Sequence, residues 1–225
     1  MNYGYGRFYA LVITPESQSI LLYNIFVISE GLHEREFFCK DTLQVAREIL
    51  GARLVRVVDG ERLSGIIVET EAYQGEQDLG CHARAGKTPR TQVMYGQPGH
   101  AYVYFTYGVH WMLNFVTERE DYPAAILIRS LIPVEGLDYI AMQREGRPRS
   151  DWTNGPAKLC QAFNITGAEN GLDICQPGGP IWVERSQTIP DSSVTNSPRV
   201  GLNNVPEPWK SIPWRFRACE EFFLN

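Results

Sequence analysis

Hydrophobic residues recur at helical spacing between Asp41 and Gly51. Leu43, Ala46 and Leu50 fall on one face of an α-helix, and polar residues occupy much of the opposite face. Asp41 suits the N-cap, because its carboxylate can accept hydrogen bonds from the first free backbone N–H groups. Gly51 suits the left-handed residue that follows many helices. The pattern therefore predicts a short amphipathic helix.

Several other segments follow the two-residue period of β-strands. RLVRVV at 53–58 and LSGIIVETEAY at 63–73 flank the dipeptide Asp59-Gly60, which predicts a hairpin. AYVYFTYGVHWMLNFV at 101–116 predicts a second hairpin with its turn at Tyr107-Gly108.

Further strands are predicted around 126–131 and at IWVER, and short helices at LDYIAMQRE and NGPAKLCQAFNI. In the last of these, Asn154 is the expected N-cap and Pro156 lies in the first turn. Clustered strands with a few short helices predict an α+β fold with a mostly antiparallel sheet.

The first forty residues do not share this regular pattern. Their apolar runs around Leu11 and Leu21 are interrupted by Pro15, and neither run is long enough to cross a bilayer. We therefore treat residues 1–40 as an N-terminal extension without an assigned role, 41–225 as the folded domain, and expect no membrane association.

Composition limits the classes of function. The chain has 225 residues, of which 44% are hydrophobic, and a net charge of -5. That charge disfavours a nucleic-acid partner, although Arg84, Lys87 and Arg90 form a local basic cluster. The five cysteines are odd in number and contain no CxxC pair, which disfavours a zinc site or a disulfide framework. We expect no metal and no cofactor.

Two carboxylates in the second strand are the first candidates for chemistry. Strict alternation places Ile67, Glu69, Glu71 and Tyr73 on one face. Like charges in a partly buried site raise one pKa, so one carboxylate could act as a general base. A solvated strand face with two ordinary glutamates explains the same pattern.

Aromatic side chains near these carboxylates could bind a flat ligand. Tyr102 and Tyr104 share a strand face, and His82 lies in the loop after Tyr73. Rings of this kind stack on nucleobases, with about 1–3 kcal/mol per base. A half-buried tyrosine face is also common in ordinary sheets. Tyr107, at a hairpin tip, either exposes a ring that could wedge into DNA or folds back.

Two polar residues stand among apolar neighbours. Asn114 alternates with Met112 and Val116, and a buried amide there would need hydrogen-bond partners. Arg129 ends the apolar run AAILI, so it is either buried beside an anion such as Glu71 or emerging into solvent.

The ordered motifs resemble the 3-methyladenine (alkyladenine) DNA glycosylase family. They are ARxxLGxxLVR, GxIVETEAYxGxxDxxCHA, TPRxxxMxGxPGxxYVYxxYGxHxxxN, LIRxxxPxxG, GPAKLCxA and RVG, and they span Asp41 to Phe216. With this resemblance we predict one α+β domain with a curved, mostly antiparallel sheet, short flanking helices and a protruding hairpin.

The resemblance implies a role for each matching residue. Glu71 corresponds to the general base, and Arg129 and the carbonyl of Val200 correspond to the groups that hold the attacking water. Tyr107 corresponds to the side chain inserted into the duplex. The implied base pocket comprises Tyr73, His82, Tyr104 and Asn114. The segments implied to approach the DNA backbone contain Thr88, Arg90 and Lys158.

The expected activity is that of a monofunctional DNA glycosylase in base excision repair. It would flip alkylated or deaminated purines out of double-stranded DNA and hydrolyse the N-glycosidic bond with a water activated by Glu71. We expect a monomer that is intracellular with DNA. Two alternatives stay open from the residues alone: a carbohydrate glycoside hydrolase and a non-catalytic nucleic-acid-binding module.

Overall fold

The predicted first helix is present with the expected N-cap, Asp41, but it ends at Glu48, before the predicted Leu50. The computed structural model describes residues 31, 33–176 and 178–223, so most of the predicted extension at 1–40 lies outside the described residues. The Asp41 carboxylate accepts hydrogen bonds from the N–H groups of Leu43 (2.9 Å) and Gln44 (3.2 Å). Gly51 follows with φ +89°. The described helices are α1 Arg35–Phe38, α2 Thr42–Glu48, α3 Leu137–Gln143 and α4 Pro156–Ala162.

Eight strands form one open antiparallel sheet. Their order is β3-β4-β5-β2-β1-β6, and β7 pairs with β8, which pairs with β2. The long strand β2 therefore has β5 along one side, and β1 and then β8 along the other. The strands are β1 Arg53–Val58, β2 Glu61–Gln74, β3 Ala101–Thr106, β4 His110–Val116, β5 Ala124–Glu135, β6 Ile181–Glu184, β7 Val194–Ser197 and β8 Arg215–Ala218.

Alternation along the central strands separates a core face from a cleft face. All four described helices contribute to the main core, with Phe38, Val45, Ile140 and Leu159 as examples. Alternate residues of β3, β4 and β5 join them there, while their neighbours line a cleft on the other side. The predicted α+β class, a single domain with a mostly antiparallel sheet and short helices, is confirmed.

Two consecutive β-bulges interrupt the alternation where β2 meets β5. The pairing steps from Ile67–Leu131 to Glu69–Ser130 and then to Thr70–Ile128, which leaves Val68 and Arg129 as extra residues. Ile67 consequently lies in the main core instead of sharing a face with Glu69. The prediction for Ile67 was wrong because a bulge shifts the face of every residue that precedes it.

The predicted cap of α4 is also corrected. Gly155, and not Asn154, is the residue at the N-cap, and Pro156 begins the helix. The side chain of Asn154 instead accepts a hydrogen bond from Lys158 Nζ at 2.9 Å. Its amide oxygen is therefore used to orient a lysine, not to cap the backbone.

Both predicted hairpin turns are present with positive φ angles. Asp59 and Gly60 have φ of 53° and 82°, and Tyr107 and Gly108 have 52° and 70°. Two successive left-handed residues match the right-handed twist of the flanking strands. No helix within the described part of the chain is long and apolar enough to cross a membrane.

We predict that two glycines with similar backbones differ in their tolerance of a methyl group. A Cβ at Gly51 would lie 2.2 Å from the carbonyl oxygen of Gln187, whereas a Cβ at Gly60 meets nothing within 4 Å. Gly60→Ala should cost about 1 kcal/mol of unfolding free energy from left-handed strain. Gly51→Ala should cost a further ~1–3 kcal/mol from overpacking. Denaturant titration measures both, and equal losses would contradict the packing at Gly51.

Candidate active site

One row of paired residues crosses the sheet and forms the floor of the cleft. Tyr102 pairs with Asn114, Asn114 pairs with Leu127, and Leu127 pairs with Glu71. Paired residues on adjacent strands point to the same side of a sheet. These four residues therefore line one cleft, which has a volume of about 450 Å³.

The carboxylate of Glu71 lies fully buried at this floor, where two hydrogen bonds and an ion pair hold it. The phenol of Tyr73 donates to Oε2 at 2.7 Å. The backbone N–H of Val200 donates to Oε1 at 2.6 Å, and the guanidinium of Arg129 lies 3.2 Å from the same oxygen. A buried carboxylate needs such donors, because burial removes the water that would otherwise solvate it.

Burial raises the pKa of Glu71 above its ordinary value of 4.5. Arg129, the Val200 N–H and the Tyr73 phenol act in the opposite direction, since each stabilises the ionised form. The site thus balances desolvation against three donors, a balance that suits a general base.

Glu69 and Arg129 form a second layer beside Glu71. Arg129 Nε donates to Glu69 Oε1 at 2.7 Å, and Arg215 of β8 lies 3.4 Å from the same oxygen. Arg129 thus bridges both glutamates. Of the two positions considered for this arginine, the one buried beside an anion is therefore correct. Its position at a bulge accounts for its orientation, because bulges redirect side chains out of the regular alternation.

Aromatic rings line the cleft around the carboxylate. The rings of His82 and Tyr104 meet edge to face with centroids 4.5 Å apart, and Tyr73 lines the same cleft. The ring of Tyr102 is tilted against Tyr104 at 5.4 Å. The sequence therefore predicted correctly that these side chains come together, although their roles remain predictions.

His82 is held as a neutral side chain. Burial, together with smaller effects of the charges of Arg90 and Arg84, lowers its pKa to about 4. Its Nδ1 lies 3.1 Å from the hydroxyl of Tyr102, which fixes the ring in the wall of the cleft. At neutral pH this wall therefore presents a neutral imidazole to a ligand.

Asn114 is buried and oriented by backbone carbonyls. Its Nδ2 donates to the carbonyl of Tyr102 at 3.0 Å and approaches that of Met112 at 3.5 Å. The side chain reaches the cleft from the centre of the floor. Shape and polarity at that point of the cleft therefore depend on an amide with a fixed orientation.

Tyr107 projects from the β3–β4 hairpin at the rim of the cleft. Its side chain is 86% exposed, and Val109 beside it is 64% exposed. The alternative in which the ring folds back is excluded. An apolar ring in water next to a cleft is typical of a surface that contacts a partner.

The three residues predicted to approach a DNA backbone have different surroundings. Lys158 lines the cleft and pairs with Asp151. Arg90 is exposed and lies over the ring of Tyr104 at 5.1 Å. Thr88 is half-buried, and its hydroxyl lies 3.0 Å from that of Thr91.

Two buried residues beside the cleft were missed by the sequence reasoning. Arg199 and Asp78 form a bidentate ion pair with distances of 2.5 and 2.8 Å. The Asp78 position appeared in the motif GxxDxxCHA, and Arg199 in RVG. Their presence in those motifs was the available signal, but only folding brings residues 121 positions apart together.

Potential metal ligands do not cluster in the part of the chain that the structure describes. No group of three or more His, Cys, Asp or Glu side chains there could hold a metal ion. The cysteines at 39, 81, 160, 175 and 219 are free thiols.

Comparisons with known proteins agree with the geometry. The family model for methylpurine-DNA glycosylase matches residues 36–221. A protein of Methanocella arvoryzae, provisionally named 3-methyladenine DNA glycosylase, is 45% identical over 183 residues, 81% of this chain and 90% of its own length. A Desulfitobacterium hafniense protein with the same provisional name is 43% identical over 201 residues, 85% of this chain and 97% of its own length. The chain therefore belongs to the methylpurine-DNA glycosylase family, a family of DNA glycosylases, and is a hydrolase whose substrate is DNA.

Proposed function

We propose that the protein removes alkylated or deaminated purines from double-stranded DNA as the first step of base excision repair. One observation carries this proposal: a fully buried carboxylate, Glu71, at the floor of an aromatic cleft, held by two hydrogen bonds and an ion pair. Such a group can accept a proton from water close to a stacked base.

The target nucleotide has to leave the base stack before the reaction. C1′ of a nucleotide inside a duplex is not accessible to a water at the floor of a cleft, so the nucleotide rotates outward into the cleft. Tyr107, at the exposed hairpin tip, would enter the gap and replace part of the lost stacking. This places the rim of the cleft against the duplex.

The flipped purine would lie between Tyr73 and the pair formed by His82 and Tyr104. Alkylation at a ring nitrogen makes the purine cationic, and electron-rich rings attract cations. The neutral state of His82 adds no repulsion to this interaction. Asn114, at the centre of the floor, would exclude undamaged guanine by contact with its exocyclic amine.

Hydrolysis then breaks the bond between C1′ and the purine nitrogen. The electron pair of that bond goes to the purine, which leaves as a neutral base when it was cationic. Water attacks C1′, and its proton goes to Glu71 while Arg129 and the carbonyl of Val200 position the water. The oxocarbenium-like sugar is positively charged in the transition state, so the ionised Glu71 stabilises it as well.

The proposed partner is duplex DNA that contains a damaged purine, bound by a monomer inside the cell. Family membership decides against the two alternatives left open by the residues alone. The match of residues 36–221 to the methylpurine-DNA glycosylase model favours a DNA glycosylase over a carbohydrate hydrolase or a non-catalytic binding module. Release of free base from alkylated duplex DNA is the direct test, and no release by the wild-type protein would refute the proposal.

Replacement of the proposed base should separate catalysis from binding. Glu71→Gln keeps the size of the side chain but cannot accept a proton, so excision should fall by about 10²–10⁴-fold. Affinity for duplex DNA with an abasic-site analogue should change little. Glu76→Gln, an exposed carboxylate in the next loop, serves as the control. Single-turnover release of free base measures the rate, and wild-type excision by Glu71→Gln would remove Glu71 from this role.

The pH dependence of excision should reflect the burial of Glu71. The base must be ionised, and its raised pKa means that activity should fall with decreasing pH already above pH 4.5. Arg129→Gln removes a charge that lowers this pKa, so the acidic limb should move to higher pH. The wild-type Arg215 side chain contacts Glu69 and not Glu71. Arg215→Gln should therefore move the acidic limb less than Arg129→Gln does. A limb unaffected by Arg129→Gln would contradict the assignment.

The exposed hairpin tyrosine should contribute to binding of damaged DNA. Tyr107→Ala should weaken affinity for duplex that contains an abasic-site analogue by about 1–3 kcal/mol, because one ring loses its stacking partners. Met142→Ala, which removes a 63% exposed apolar side chain outside the cleft lining, should leave affinity unchanged. Fluorescence anisotropy measures both. Undiminished affinity of Tyr107→Ala would exclude a wedge role.

A further inference from the structure

We propose that Arg199 and Asp78 are positioning residues that hold the catalytic Glu71 in its working geometry. This inference rests on the proposed function, since it assigns a task in that same reaction to two residues that do not reach the substrate. The geometry points to it because one buried guanidinium connects the three parts of the chain that surround Glu71.

The side chain of Arg199 is completely buried and makes directional contacts to several segments. It donates to both carboxylate oxygens of Asp78, to the carbonyl of Ala72 in β2 at 3.0 Å and to the carbonyl of Trp209 at 3.4 Å. Its guanidinium also lies 4.6 Å from the centre of the Tyr73 ring. The planar fork of arginine fixes both the distance and the angle of such partners.

Asp78 uses its remaining lone pairs to fold the loop that leads to His82. Its Oδ1 accepts from the N–H of Gly80 at 2.9 Å, and its Oδ2 lies 3.4 Å from the N–H of Gln74. The loop packs directly on the arginine, because a Cβ at Gly80 would lie 2.8 Å from an Arg199 nitrogen. The ion pair therefore connects the aromatic wall of the cleft to the segment that contains Val200.

Two of the three groups that hold Glu71 depend on this arrangement. The Val200 N–H follows Arg199 directly in the chain and donates to Oε1 at 2.6 Å. The Tyr73 phenol, whose ring contacts the guanidinium, donates to Oε2 at 2.7 Å. If the planar guanidinium of Arg199 were lost, Arg129 would be the remaining group that holds Glu71 independently of Arg199.

A purely stabilising role is a weaker explanation of the pair. Two charges lose their hydration when they are buried, and buried ion pairs often contribute little net stability compared with apolar packing. The hydrogen bonds of the Arg199–Asp78 pair do, however, fix the orientation of the groups around them. Glu71 requires such fixed orientation, because it is held by a short bond from a backbone N–H and by a phenol.

A conservative substitution of the arginine tests the proposal. Arg199→Lys keeps the positive charge but loses the planar fork and its contacts with two carbonyls. Displacement of a catalytic group by about 1 Å can cost roughly 10²-fold in rate, so single-turnover excision at neutral pH should fall about 10–100-fold. Affinity for abasic-analogue DNA should change little, because neither residue lies at the cleft surface.

The pH profile of excision distinguishes a positioning role from a stabilising one, because a loss of stability alone would not shift its acidic limb. Weaker donation from Val200 and Tyr73 favours the protonated form of Glu71, so the acidic limb should move to higher pH and excision should partly recover in alkaline buffer. The groups that face this carboxylate or act through its neighbours are Glu69, Tyr73, Tyr104, Arg129, Arg199, Arg215 and the Val200 N–H.

The chain contains a matched control, the buried pair Arg56–Glu169. Its closest atoms lie 2.7 Å apart, and Arg56 also donates to a carbonyl, that of Pro180. Among the described residues, Nε of both Arg56 and Arg199 is buried without a hydrogen-bond partner. Arg56→Lys should therefore lower the unfolding midpoint in the same way as Arg199→Lys but leave the acidic limb in place.

A second variant covers the case in which Arg199→Lys does not fold. Asp78→Asn keeps the shape and the acceptor for Gly80, and it should show the same upward shift of the acidic limb. An unshifted limb in either folded variant would overturn the proposal. Loss of folded protein in both, with Arg56→Lys folded, would assign the pair to stability alone and overturn it as well. Base release by the wild-type protein is measured in parallel, so failure of the proposed function is recognised separately.

Discussion

The cleft is organised by a single constraint, which is that a carboxyl group deprived of water must remain able to ionise. Glu71 is fully buried, and burial raises its pKa, which favours the protonated form. Three donors from β2, β5 and the loop at residue 200 oppose that effect by direct contact with its oxygens. Each donor is itself held in place, by Glu69 on one side and by Arg199 on the other. The polar network therefore extends well beyond the group that performs the chemistry.

The sheet provides the rigidity that this network requires. Side chains from four neighbouring strands meet in one row, so the positions of Asn114 and Glu71 are determined by backbone pairing instead of by flexible loops. The bulges at Val68 and Arg129 adapt this regular frame to the site. Because of these bulges, the pair β2–β5 places apolar residues such as Ile67 in the core on one side of the bulges. On the other side, the same pair places the ion pairs of Glu69, Glu71 and Arg129 at the cleft.

The net charge of -5 and the proposed binding of DNA are compatible because the charges are unevenly placed. Around the cleft, Arg84 and Arg90 lie close enough to lower the pKa of His82, and Lys158 lines the opening. Affinity for DNA depends on the field at the contact surface more than on the total charge. Burial, assisted by Arg90 and Arg84, keeps His82 neutral, so its ring adds no charge that would repel a cationic purine.

The sequence by itself determined most of the elements and indicated a set of candidate site residues. Periodicity located α2, both hairpins and most strands, since side-chain burial on a regular element repeats with the period of its backbone. The ordered motifs located Glu71, Arg129, Tyr73, His82 and Tyr104, which the fold brings to one cleft. Tertiary structure alone decided three other matters: the bulge that sends Ile67 to the core, the bond from Val200 to Glu71, and the pair of Arg199 with Asp78. Each of these depends on contacts between segments far apart in the chain, and local patterns contain no information about pairing register or loop closure.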